Sequence, residues 1–576
     1  MKRTLQIFVL LSLFPIPALP QTILTPFEQD KNTTATYAEC IDFYNELAKQ
    51  SDIIKIAEYG ETDFGEPLRI VIVSKEKIFD PAEVRAAGKI VLFVNNGIHP
   101  GEPDGIDASM MLVRDIARDK SLLPDNVVLV TIPVYNIDGA SNRNNFSRAN
   151  QVGPKEYGFR GNSENRDLNR DFIKCDTKNA RTFVKIFQEW KPELFCDTHS
   201  TDGADYQYKM TYIATQHNKL DHILADYMIN SLVPSMESEM KNRGQEMCPY
   251  VNTYKSTPDS GLAGFMESPR YSSGYAALFN SIGFISESHM LKTHRERVEA
   301  SYEFLASLLK FAGRDYKLIA ENKKQADENT ENKNDFVLTW NLDENVVSKY
   351  LFKGYEAKNK PSVISGFNRM YYDKNSPYEK EINYYNEYKA AVTVIKPDAY
   401  IIPQGWWQVI ELLKMNGVKM ETINEDKMID AESYYIEKYD TQAPPFEGHY
   451  LHSGVEVRKT AGMRKFYKGD YIVYTNQECN NFIIHVLEPQ SADSYFCWNF
   501  FDAVLQQKEY YENYLFEDSA DSLLNSKPGL KAMFEEKKKS DEKFRNDGNA
   551  QLTFIYNSTI REPEFMRYPV ARLIKP

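Results

Sequence analysis

His99 and Glu102 stand three positions apart in the stretch Val94-Asn-Asn-Gly-Ile-His-Pro-Gly-Glu102. An imidazole and a carboxylate held close together can grip one metal ion. Spacing alone discriminates poorly. Nine histidines among 82 acidic residues in 576 should yield about one His-x-x-acid pair by chance, a known weakness of short motifs. The chain has three such pairs, the others being His199 with Asp202 and His485 with Glu488. Their surroundings must separate them.

The first pair follows Lys89 to Val94, a nearly continuous apolar run rich in branched residues, which reads as a strand buried on both faces. Asn95-Asn96-Gly97 ends it, and Pro103 opens a helix with Ile106, Met110, Val113 and Ala117 on one face. The pair therefore sits in a strand-to-helix loop, where open α/β sheets hold their ligands. His199 leaves a second buried run, Leu194 to Thr198, and Glu287 leaves a third in Gly283-Phe-Ile-Ser-Glu287. Between them Asp167-Leu-Asn169-Arg170 lies in a polar loop. Two neutral imidazoles and one carboxylate make a three-ligand zinc site with a fourth position open to water, the arrangement of catalytic zinc. His485-Val-Leu-Glu488 reads as a strand entering a loop, with no third ligand apparent. His294, in Lys-Thr-His-Arg-Glu-Arg, reads as exposed at the charged start of a helix; His289 is left open.

These loops need a scaffold. Helical spacing of Tyr37, Ile41, Tyr44 and Leu47 predicts an opening helix, and strands are expected at 53–58, 68–74, 89–94, 127–134, 194–198 and 282–286. Helices are expected at 176–190, 217–242 and 293–311. Strands interleaved with long amphipathic helices predict an α/β fold, a mixed central sheet covered by helices on both faces.

With these residues in this order, the chain from about residue 25 to 315 resembles the zinc carboxypeptidases of the carboxypeptidase A-like family. The resemblance implies zinc bound by His99, Glu102 and His199, with Glu287 as general base. It implies that Asn169 and Arg170 grasp the substrate's terminal carboxylate and that Asp167 orients a ligand histidine. An arginine that polarises the scissile carbonyl is best matched by Arg148, with Arg143 the competitor, and the mobile tyrosine by Tyr271 or Tyr275. Two departures stand out: the interval from His99 to His199 is shorter than in the digestive members, and Pro100-Gly101 differs from their motif.

The chemistry suits these roles. Zinc lowers the pKa of its water towards about 7, so zinc-bound water can attack a peptide carbonyl while Glu287 takes the proton and returns it to the leaving amine. A guanidinium near the developing oxyanion stabilises it, and the planar fork of Arg170 matches a carboxylate. Taken singly, each residue has an ordinary reading: a turn cap, a surface ion pair, a satisfied core histidine. Their joint order at strand ends carries the functional one.

Lys2 and Arg3 before the apolar Leu5 to Phe14, with prolines after, read as a signal peptide over residues 1–20, too short for a membrane span. The protein is expected to be exported, periplasmic or extracellular. Its net charge of −13 argues against a nucleic-acid partner. Six cysteines without Cys-x-x-Cys spacing exclude thiolate zinc; bridges such as Cys479–Cys497 or Cys175–Cys196 are permitted by export, the alternative being buried thiols.

The expected organisation is a catalytic domain at 21–319, a polar linker or solvated helix at 320–335, and a mixed α/β or β-rich accessory domain of unreadable role at 336–576. Within it, strands are expected at 336–340, 363–367, 390–395, 455–458 and 471–475, and Trp406-Trp407 read as core rather than a sugar platform. The reading is a zinc metallocarboxypeptidase acting on peptides with a free carboxyl terminus. Two others share its residues: a zinc amidase or deacylase acting on peptidoglycan stem peptides or acylated amino acids, and an inactive binding module.

Overall fold

The computed structural model describes residues 23–559 and 564–574; the expected signal segment at 1–20 lies outside them. The central sheet comprises β1 (Ile54–Glu61), β2 (Pro67–Val73), β3 (Ile90–Asn95), β4 (Val127–Ile132), β5 (Leu194–Thr201), β6 (Met210–Ala214), β7 (Met247–Pro249) and β9 (Ile282–His289), with β8 (Leu262–Ala263) in a separate sheet. Their order is β1-β2-β4-β3-β5-β9-β6-β7. The middle strands β4, β3, β5 and β9 are parallel, and antiparallel pairs flank them.

Alternation along β3 explains why helices cover both faces. Ile90, Leu92 and Val94 enter one core with α1 (Tyr37–Gln50), α2 (Asp104–Arg118) and α4 (His294–Asn332). Val91 and Phe93 enter the other, with α3 (Lys178–Trp190). Thr36 and Glu39 form a capping box at the start of α1, an arrangement that satisfies two otherwise orphaned backbone donors. At the start of α2, Gly105 is required by contact: a Cβ there would lie 2.1 Å from Thr198 Oγ1 on β5. That close approach brings the His99–Glu102 turn against the end of β5.

The polar stretch expected as a linker or solvated helix is helical up to Asn332. α4 continues to Asn332, with Ala326 and Thr330 buried. Few apolar residues suffice there because one face of the helix is polar and solvated. Beyond it lie β10 (Asp335–Leu342) paired with β13 (Tyr388–Ile395), and the long hairpin β11 (Ser348–Pro361) and β12 (Asn368–Tyr385), whose base pairs with β8. A six-stranded sheet follows, ordered β15 (Glu421–Thr422), β18 (Tyr471–Tyr474), β14 (Ala399–Ile402), β19 (Ala571–Leu573), β16 (Lys427–Thr441), β17 (His452–Phe466).

This second half shares a core with the first. Phe279 stacks on Phe482 at 5.4 Å, and Tyr275 donates from its hydroxyl to Asn416 Oδ1 at 2.7 Å. Residues 363–367, expected as a strand, are instead the exposed turn between β11 and β12. His485, expected on a strand, lies in the helix α5 (Asn480–Leu487), buried, with its ring stacked on Trp340. Its apolar neighbours Phe482, Ile483, Ile484 and Val486 are all buried, a pattern that suits a short buried helix as well as a strand. Trp406 packs edge-on against Phe501, whereas Trp407 is 62% exposed. All six cysteines are buried free thiols.

Candidate active site and metal centre

The turn after β3 is closed by Glu102 N donating to His99 O at 2.8 Å, which turns both side chains the same way. His199 arrives from β5, and parallel pairing places it beside Glu287 of β9. His99, Glu102 and His199 each offer a ligand atom, all within 4.8 Å of one another. His99 presents Nδ1 to this group, since its Nε2 lies 2.9 Å from Asp167 Oδ1. His199 Nδ1 sits 3.0 Å from Glu102 Oε2, and its Nε2 lies 3.2 Å from Asp197 Oδ2 without hydrogen-bond alignment. Each imidazole is thus backed by a carboxylate, the support that orients histidine ligands of metals.

This donor set fits zinc: an imidazole and a carboxylate from the turn after β3 and an imidazole from β5, all buried, with a cavity on the open side. The electrostatics fit a cation as well. Burial opposes charge on Glu102, yet Arg148 and His99 outweigh it and hold the carboxyl well below its usual range. Burial would likewise lower His199, but Asp197 and Glu102 raise it well above. Asp167, despite its burial, is held ionised by His99, Arg160 and Arg170.

The cavity has a volume of about 410 Å³. Glu287 lines it beside the metal group, and burial, with the charge of Glu102, pushes its carboxyl up to about 8 against the pull of His199 and the arginines. Asn169 and Arg170 form one wall. Asp167 Oδ1 accepts from Asn169 N at 2.9 Å, and Arg170 Nη1 donates to Asn169 O at 2.8 Å. The Arg170 guanidinium lies 4.3 Å from the ring centre of Tyr271, which also lines the cavity, while Tyr275 is buried in the core.

Of the two arginines weighed from sequence, Arg143 binds the carbonyls of Thr34, Ala35 and Glu156 and does not line the cavity. Arg148 does line it, but its guanidinium is engaged on all sides, by Glu102 Oε1 at 2.7 Å, Ser200 O at 3.1 Å and Gln151 Oε1 at 2.6 Å. Sequence reading passed over Arg160. It donates to Asp167 Oδ2 at 2.9 Å, reaches within 3.3 Å of His99 Nδ1, and leaves 45% of its side chain exposed to the cleft. Its available signal was an arginine between Gly158 and Gly161 in the polar loop leading to Asp167.

Residues 40–260 match the family model described as zinc carboxypeptidase, Peptidase_M14. That region of the chain is similar to the zinc carboxypeptidases. The chain is 21% identical over 478 residues to carboxypeptidase 2 of Trichophyton rubrum, spanning 79% of this chain and 81% of the relative. It is 21% identical over 449 residues to carboxypeptidase 2 of Trichophyton equinum, 74% and 76% respectively. Among solved structures, a metallo-carboxypeptidase from Pseudomonas aeruginosa in complex with (2-guanidinoethylmercapto)succinic acid aligns with TM-score 0.37 and 12% identity, covering 50% of this chain and 70% of that one. Zinc-dependent hydrolysis of peptides at their carboxyl-terminal end is the activity that the matched family and relatives support, with His99, Glu102 and His199 suited to one metal ion.

Other expectations change around this site. His294 is not exposed: it is buried beneath the metal turn, with Nδ1 2.8 Å from Asp104 Oδ1 and Nε2 3.2 Å from Asp107. Asp104 also accepts from Arg297, Ser200 and Ser288. A buried carboxylate needs such partners, so the helix start that looked charged for solvent is charged for Asp104. His289 stacks on Tyr206 at 4.0 Å near Asp205, away from the ligands. The loops bearing Asp167 and Tyr271 are also held from the second half: His449 Nε2 lies 2.8 Å from Asp176, and Arg270, next to Tyr271, pairs with Asp493 at 2.6 Å.

Proposed function

We propose that the protein is an exported exopeptidase that removes carboxyl-terminal residues from peptides whose terminal carboxylate is free. The observation that supports this most is the placement of Arg170 and Asn169 on the wall of the cavity that holds Glu287 and the zinc ligands. Zinc bound by His99, Glu102 and His199 would supply a Lewis acid and an acidified water. Glu287 would take a proton from the attacking water and return it to the leaving amine; a carboxyl with a raised pKa is suited to both halves of that transfer. Arg160, which lines the cleft with 45% of its side chain exposed, stabilises negative charge on the scissile carbonyl oxygen, the role expected of Arg148 from sequence. Arg148 instead orients Glu102. Arg170 and Asn169 hold the terminal carboxylate, with Tyr271 closing against it. Ile213, Ile285 and Phe265 on the cavity wall suit an apolar terminal side chain. Export rests on the amino-terminal sequence, and no helix among the described residues is long and apolar enough to cross a membrane.

The test uses one peptide with free and amidated ends and two enzymes, wild type and Arg170→Ala. Leaving a buried carboxylate without its partner costs about 2–5 kcal/mol, or roughly thirty- to several-thousand-fold in kcat/KM. Amidation is expected to cost the wild type much of that factor and Arg170→Ala little more. Equal cleavage of both peptides by wild type rejects the exopeptidase reading while leaving zinc hydrolysis intact. A muropeptide panel read by mass spectrometry separates peptide from peptidoglycan substrates.

A further inference from the structure

The β11–β12 hairpin leaves the body of the protein. Its base is anchored: Phe352 and Ile382 pack with Tyr206 and Tyr208, and Gln207 Nε2 donates to Gly354 O at 3.0 Å. Beyond Glu356 the two strands pair only with each other, from Glu356↔Asp373 to Pro361↔Asn368. At about 3.4 Å per residue this ribbon and its turn extend roughly 20 Å. A lone two-stranded ribbon is marginal in water. This one also carries its most apolar residues where a turn is normally polar: Val363 is 98% exposed, Ile364 93% and Phe367 78%.

The turn displaying them is internally bonded. Ser362 N donates to Phe367 O at 2.8 Å and Gly366 N to Ser362 O at 2.9 Å, while Ser362 Oγ accepts from Ile364 N and Ser365 N at 3.2 Å each. Gly366 takes the left-handed conformation, φ +76°, that closes it. With these backbone groups satisfied, the tip can enter an apolar phase at low cost. Behind it come the paired Lys360 and Arg369, then Lys358 opposite Tyr371, then Tyr372, and no acidic residue falls between Glu356 and Asp373 in a chain of net charge −13. An apolar tip with a basic collar directly behind it presents apolar residues to the acyl boundary and cations to the headgroup phosphates of an anionic lipid interface.

We propose that this arm docks the protein on an anionic phospholipid bilayer, with Val363, Ile364 and Phe367 entering the interface and Lys360 and Arg369 meeting headgroup phosphates. Tyr206 at the arm's base stacks on His289, two residues from Glu287, so the arm is anchored on the strand that carries Glu287. The inference is independent of the exopeptidase reading.

The test is cosedimentation of the purified protein with vesicles of phosphatidylcholine plus phosphatidylglycerol, and of phosphatidylcholine alone. Wild type is expected to pellet with the anionic vesicles and much less with the neutral ones, and added salt should weaken the binding. The triple variant Val363→Ser, Ile364→Ser, Phe367→Ser should bind at least about tenfold more weakly while hydrolysing a soluble peptide at the wild-type rate. Lys360→Glu with Arg369→Glu should bind weakly and lose the salt dependence. Absence of wild-type binding, equal binding by the triple variant, or equal binding to both vesicle types overturns the proposal. So does a wild-type dimer in sedimentation velocity that the triple variant abolishes, which would assign the tip to a second copy of the chain.

Discussion

Glu447, in the loop between β16 and β17, accepts a hydrogen bond from the backbone N–H of Asp167 at 2.9 Å, and its carbonyl accepts from Arg166 Nη1 at 3.2 Å. A residue 280 positions away thus fixes the loop that presents Asn169 and Arg170. Removing that anchor should misplace the carboxylate-binding pair without touching the metal. Glu447→Ala is expected to raise KM and lower kcat/KM by roughly tenfold, in line with the sensitivity of rate to small misplacement, with zinc content unchanged. Unaltered kinetics would show that the loop stands without this contact.

Zinc content and turnover should separate ligand from base. His199→Ala is expected to remain folded and lose most bound zinc, because only His99 and Glu102 would remain as ligands. Glu287→Gln should retain zinc and lose turnover by about a hundredfold or more. Equal zinc in His199→Ala, read by metal analysis, rejects the assigned ligand set; full turnover in Glu287→Gln leaves another group as base.

Arg148 and Arg160 can be told apart by the same pair of measurements. Arg160→Ala should lower kcat by about a hundredfold, the usual size for an oxyanion-stabilising group, and leave zinc affinity nearly intact. Arg148→Ala frees Glu102 from its orienting partner and should weaken zinc binding by about ten- to a hundredfold. The opposite pattern would exchange their roles.

Acid should destabilise the second half through His485. Its imidazole bonds Ser491 Oγ at 2.9 Å, and burial, aided by Lys219 and Lys333, lowers its pKa to about 3. Folding therefore favours the neutral ring. The stability this contributes is complete above the unfolded pKa of about 6.5 and is lost as pH falls from there towards 3, at about 1.4 kcal/mol per pH unit. Between pH 7 and pH 5 wild type should lose about 2 kcal/mol more than His485→Gln. Denaturant melts of both proteins at the two pH values measure the difference, and parallel losses would contradict it.

The central sheet was legible because β3, β5 and β9 are buried on both faces and read as uninterrupted apolar runs ended by polar residues. β6 was passed over, since Met210-Thr-Tyr-Ile-Ala carries no turn signal that separates it from a helix. The ligand residues stood out because they leave those strands. Arg160, Glu447 and Arg297 did not: their roles depend on loops brought together across long sequence distances, which no local pattern records. Asp197 left a trace that could have been used. A carboxylate within a buried strand, two residues before His199 and so on the same side of it, needs a partner.

The six-stranded sheet has a consequence for the order in which the site can be completed. The β16–β17 loop carrying Glu447 hangs from a sheet in which β19, residues 571–573, lies between β14 and β16. A chain synthesised from its amino terminus presents the zinc ligands long before that strand exists. Until β19 is inserted, the support beneath Asp167 is missing a strand, so the metal site is assembled early and the grip on substrate late. Such timing would hold a hydrolase in check while it is still being made.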